Sequence, residues 1–153
     1  MTRRTQVHDL PARLASGVFI ANSGVGKLRA DAETAARVHG MASGTYPFLA
    51  SVEPLTFTRA LGAAEVVLGT ALAVPMVPTA TAAAGLTAFA GGLLGLYVRT
   101  PGMRQDGSLR PSTQGTAIAK DVWLLGIGLS LLADRAGARW RDRRERRRAR
   151  SQS

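Results

Sequence analysis

The chain has 153 residues, a formal net charge of +10 and no cysteine, with a mean hydropathy of +0.05. That is enough chain for one domain, and the lack of cysteine excludes disulfides, thiolate nucleophiles, cysteine-ligated zinc and iron–sulfur clusters. The charge is terminal: nine Arg stand against Asp142 and Glu145 in 135–153, Arg3, Arg4 and Arg13 against Asp9 in 1–13, and the body is left at +1. This distribution turns the expectation away from nucleic acid and toward a neutral, apolar body with basic ends. The two histidines, His8 and His39, lack an H-x-x-H spacing, so no protein-only metal site is expected.

Residues 1–11 read as a polar, basic cytoplasmic segment, and Pro11 fits the first turn of a helix. The first predicted span, 12–30, is the most interrupted, by Asn22, Ser23 and Lys27. Gly17, Gly24 and Lys27 fall on a common side of it. Lys27 lies near its outer end, where it serves either as an interface anchor that snorkels or as a functional group. Residues 29–54 read as a loop with a short surface helix over 31–39, and Tyr46 and Phe48 suit the headgroup zone.

The second span, 55–75, is apolar and close to the roughly 20 residues a bilayer crossing needs. It carries Arg59 near its start and Glu65 near its middle. Gly62 and Gly69 share the face of Glu65, so another helix can approach closely there. A carboxylate at mid-membrane is costly and is expected to face protein or a polar cavity. The third span, 79–98, has no charged residue; Gly91 and Gly95 make a G-x-x-x-G that packs either within the bundle or across a dimer. After a polar loop with turn signals at Pro101–Gly102 and Asp106–Gly107, the fourth span, 118–134, opens with Lys120 and Asp121. Residues 135–153 read as a basic cytoplasmic tail without fixed structure.

The expected fold class is therefore all-α, an integral membrane four-helix bundle over 12–134. The termini carry twelve Arg and the two long loops five Lys or Arg, which places both termini in the cytoplasm. Arg59 then lies about 6 Å and Glu65 about 15 Å below the outer surface at 1.5 Å per residue. Lys27, Lys120 and Asp121 belong to the same outer half. Pairs such as Lys27 with Glu65 and Arg59 with Asp121 are the cheapest arrangement. Such pairs either only fix register or line a pocket for a ligand or protons.

At these residues the chain resembles the DoxX family of small bacterial membrane proteins, from about Arg13 to Arg135. The resemblance rests on R-L-x-x-G-x-F at Arg13 to Phe19 with a G-V-G-K-L ending, on Glu65 followed by Gly69, and on Lys120–Asp121 opening the last helix. The first helix departs from the pattern at Asn22–Ser23, which leaves its register and depth open. The resemblance implies a multi-pass protein of the bacterial plasma membrane, with quinone as a candidate cofactor and a soluble or membrane redox partner. Without cysteine, the chain does no thiol chemistry itself. The functional expectation is a membrane subunit or accessory factor of a quinone-linked or oxidative-stress system, with Asn22, Lys27, Arg59, Glu65, Lys120 and Asp121 as binding or proton-relay candidates. A small proton-coupled transporter, which with four helices requires a homo-oligomer, and a structural anchor for a soluble partner are the alternatives.

Overall fold

The computed structural model describes residues 7–150. A short 3-10 turn, Val7–Asp9, leads into α1 (Leu10–Leu28), with Pro11 in its first turn, where the missing N–H is no loss. Helix α2 (Ala32–Thr45) is capped by Asp31, whose carboxylate accepts from the Thr34 amide at 2.8 Å. Helix α3 (Pro54–Ala73) is capped by Glu53, which accepts from the Leu55 and Thr56 amides at 2.9 and 2.6 Å. These amides hold both carboxyls below their usual values, Thr34 leading for Asp31 and Leu55 for Glu53. Helix α4 (Thr79–Arg99), a single turn α5 (Thr116–Ala119) and the long α6 (Val122–Arg150) complete the order. Between α4 and α5 the loop folds back on an isolated bridge of Arg104 with Pro111. Its turns use Gly102 at φ +81° and Gly107 at φ +66°, a left-handed conformation that glycine adopts without cost.

Helix α1 packs along α3 and α4 along α6, while α2 lies against α3 and α4. Burial follows helical spacing. In α3 the buried positions are Thr58, Gly62, Glu65, Gly69 and Leu72, and from Asp121 to Ala138 they are Asp121, Leu124, Gly128, Leu131, Arg135 and Ala138. Steps of three and four keep each set on one face. Ile20, Leu72, Leu86, Ala90 and Leu124 join the four long helices in one core.

Large apolar side chains lie on the outward faces, Val18, Val67 and Leu129 among them, with Asn22 and Arg59 exposed beside them, while Arg13, Thr58, Glu65 and Thr79 are buried. Among the described residues, three helical stretches are long and apolar enough to cross a bilayer, Pro54–Ala73, Thr79–Arg99 and Thr116–Arg141. Four were expected. Helix α1 is not among the three, because Arg13, Asn22, Ser23 and Lys27 dilute its apolar residues.

Three other expectations change. Within the chain, Gly91 and Gly95 do not pack one helix on another: a methyl at Gly91 would meet nothing within 4 Å, and Gly95 makes room for the Tyr46 hydroxyl. That hydroxyl donates to the Gly92 carbonyl at 3.0 Å. The close seam of α4 with α6 lies at Gly128 instead, against Thr87. The basic stretch up to Arg150 is helical rather than unstructured; Arg is a strong helix former, and Arg144 stacks over Trp140 one turn away, at 3.8 Å. Residues 151–153 of the expected tail, and 1–6 of the N-terminal segment, lie outside the described residues. Finally, α2 runs on to Thr45 and buries Ala35, His39 and Ala42, so it is more than a surface helix.

Candidate functional site

The site is built by two glycine contacts between antiparallel α1 and α3. A methyl on Gly69 would lie 2.5 Å from the Gly17 carbonyl oxygen, and one on Gly24 would lie 2.5 Å from that of Gly62. The backbones therefore touch at two levels one heptad apart. Helical side chains tilt toward their own N-terminus. In an antiparallel pair, Lys27 thus leans down along α3 and Glu65 leans up along α1, toward each other. Lys27 Nζ donates to Glu65 Oε2 at 2.9 Å and to Ser23 Oγ at 2.8 Å. The Glu65 side chain is only 2% exposed, so its charge is held by protein rather than by solvent.

Two cavities meet at this pair. One, of about 380 Å³, lies between α2, α3 and α4 and is apolar, with Met41, Leu61, Leu93 and Leu96 among its walls. The other, of about 290 Å³, is more polar and adds Ser23 from α1 and Lys120 and Asp121 from the turn between α5 and α6. Lys27, Glu65, Phe89, Leu93 and Ile118 line both. Together they fall within the roughly 300–1,000 Å³ typical of small-molecule sites. Asp121 is 9% exposed, and its Oδ1 finds no hydrogen-bond partner among the described residues. Buried polar atoms are nearly always paired, so this unpaired oxygen beside the polar cavity stands out among the described residues. Phe19, on the wall of that cavity, meets Trp123 edge to face at 5.6 Å.

The structure thus brings together Lys27, Glu65, Lys120 and Asp121. It does not bring in Arg59 or Asn22, which are both exposed and line neither cavity. Arg59 is six residues before Glu65, about 240° round the helix, and its side chain tilts outward, away from Glu65. The expected pair of Arg59 with Asp121 is not formed.

A second buried charge cluster, at the other end of the bundle, escaped the sequence reading. Arg13 is fully buried. Its guanidinium donates to the carbonyls of Ala71, Leu72, Val74 and Val77 at 2.8–3.1 Å and to Thr79 Oγ1 at 2.9 Å. It satisfies the carbonyl end of α3, where a cation also suits the helix dipole. Asp9 accepts from Thr79 and Arg135, tying the start of α1 to α4 and α6. His8, Asp9 and Asp134 offer three potential ligand atoms within 4.8 Å of one another, but the Arg135 guanidinium bonded to Asp9 opposes a cation there. No family model matches the chain, and no curated protein or solved structure matches it either.

Proposed function

We propose that the chain is a DoxX-like multi-pass protein of the bacterial plasma membrane that binds a quinone as a membrane subunit or accessory factor of a redox system. The observation that carries this reading is the pair of cavities meeting at Lys27–Glu65, one apolar and one polar. An isoprenoid or alkyl chain suits the first and an oxygen-bearing ring suits the second. Lys27 has three donors; Ser23 and Glu65 use two, and one remains for a ring oxygen. With no cysteine in the chain, electrons reach the site from a partner subunit.

All four long helices cross the membrane in this proposal, α1 included. Its two cations are accommodated: Arg13 bonds to the end of α3, and Lys27 pairs with Glu65. Largely apolar outward faces, with most of the helices' charges turned inward into pairs, suit lipid as the surrounding medium.

The test is quinone binding by the full chain in nanodiscs, with Glu65→Gln, Lys27→Met and the double variant. Each single change leaves one charge buried without its partner and should cost about 3–5 kcal/mol in stability. The double variant should recover part of that stability yet bind quinone at least tenfold more weakly than the wild-type chain. Wild-type binding in the double variant, or none in the unmodified chain, rejects the proposal.

A further inference from the structure

We infer that the end of α6 that leaves the membrane carries a binding site for the phosphate of an anionic phospholipid, formed by Trp140, Arg143, Arg144 and Arg147. The inference goes beyond the quinone reading and needs only that α6 cross the membrane, as its apolar stretch Thr116–Arg141 allows. Residues 139–148 hold seven Arg against two acids, and the chain stays helical through them. A helix turns about 100° per residue, which sorts these charges by face. Trp140, Arg143, Arg144 and Arg147 fall within about 100° of one another. Asp142 and Glu145 stand about 200° and 140° round from Trp140, so neither acid interrupts that face. A cavity of about 250 Å³ on it is lined by Trp140 and the three arginines, all of them exposed.

The depth of this face fits a headgroup. Trp140 stands at the end of the apolar stretch, where an indole favours the interface. Arg147 is seven residues on, about 10 Å along the axis, and helical side chains tilt back toward the N-terminus, here toward the bilayer. The polar layer on each side of the hydrocarbon is roughly 5–7 Å thick, so the guanidinium groups reach back into it. Arg144 shows the tilt, its Cζ lying 3.8 Å from the centroid of the Trp140 ring. Stacking uses the flat face of the guanidinium and leaves its N–H edges to fork across phosphate oxygens. Arg143 and Arg147 bring further donors to the same cavity. Three cations suit a headgroup with a net negative charge over one whose phosphate is balanced by its own choline. A diffuse basic tail attracts anionic lipid through its total charge; this face does so through position as well, and the two are separable.

The experiment is native mass spectrometry of the full chain in detergent, titrated with dioleoyl phosphatidylglycerol and with dioleoyl phosphatidylcholine. One phosphatidylglycerol is expected to bind at least fivefold more tightly than phosphatidylcholine. Two double variants of equal net charge then locate the preference. Arg143→Gln with Arg147→Gln removes two arginines from the face and should bring the two lipids to within about twofold. Arg139→Gln with Arg141→Gln removes two from beside it and should keep at least half of the preference. All four positions are exposed, so thermal unfolding should be the same in both variants, which separates loss of the site from loss of the fold. Equal binding of the two lipids by the unmodified chain overturns the inference. So does an equal loss in both double variants, which would leave only the total charge of the tail. Displacement of the lipid by an equimolar uridine oligonucleotide would assign the face to nucleic acid and overturn it too.

Discussion

Arg13 shows what the sequence concealed. A basic residue near a chain end, beside Arg3 and Arg4, reads as a topology signal in the cytoplasm. In the fold it is fully buried and donates to four carbonyls and a hydroxyl. Its acceptors are backbone oxygens at 71–77, and a carbonyl has no signature in sequence. Glu65 was easier to read, because Gly62 and Gly69 mark its face and the cost of a carboxylate in lipid requires a partner at similar depth. Arg13→Lys tests the residue argument. Lysine keeps the charge but cannot fork across several carbonyls, and each buried acceptor left dry costs about 1–3 kcal/mol. The variant should unfold at lower temperature in detergent, by a margin equivalent to at least about 2 kcal/mol. Arg13→Lys matching the unmodified chain would show that water replaces the fork without loss.

Among the helices, the informative contrast is between two glycine patterns. Gly62 and Gly69 lie one heptad apart, as do Gly17 and Gly24, so each pair stays on one face of its helix. The partner helix bears the complementary pair, and the match sets the register of α1 on α3. Gly91 and Gly95 form the better-known motif, yet spacing gives a face without saying what the face meets. Here Tyr46 fills one of the positions and the other stays open. The helical extension of α6 was hidden for a related reason: charge predicts solvation, and a solvated segment of strong helix formers can still continue a helix already nucleated. Gly69→Ala puts a methyl 2.5 Å from a backbone oxygen that cannot swing aside. It should destabilise the bundle by about 1–3 kcal/mol through overpacking and weaken the Lys27–Glu65 contact with it. Gly91→Ala enters open space and should be neutral or stabilising by up to about 1 kcal/mol, since alanine favours the helix. Thermal unfolding of the two variants decides the point; equal effects would remove the seam as the determinant of α1–α3 packing.

Across the whole molecule, the two buried charge clusters lie at opposite ends, and this geometry bears on whether α1 crosses the membrane. With three crossings made by α3, α4 and α6, the C-terminal half of α6 ends on the side opposite the start of α3. Asp9 bonds to Arg135 and Thr79, so the start of α1 lies at that same end, by the α3–α4 turn. Lys27, at the far end of α1, leans back to reach Glu65 near the middle of α3. Helix α1 therefore runs the length of the bundle, and its 19 residues span about 28 Å at 1.5 Å per residue, close to the hydrocarbon thickness of about 30 Å. In the proposed topology, the excess of Arg beyond Arg135 assigns that end to the cytoplasmic side, even after Arg13 and Arg135 are discounted as interior residues. Because the chain has no cysteine, single cysteines can report sidedness without background. Val7→Cys and Arg143→Cys, both exposed positions, should be labelled by an impermeant maleimide only from the cytoplasmic face of sealed vesicles. Leu109→Cys, exposed in the loop between α4 and α5, should be labelled only from the opposite face. If Val7→Cys is instead labelled together with Leu109→Cys, α1 does not cross, Asp9 cannot meet Arg135 in the membrane-bound protein, and the ligand site loses the helix that carries Lys27.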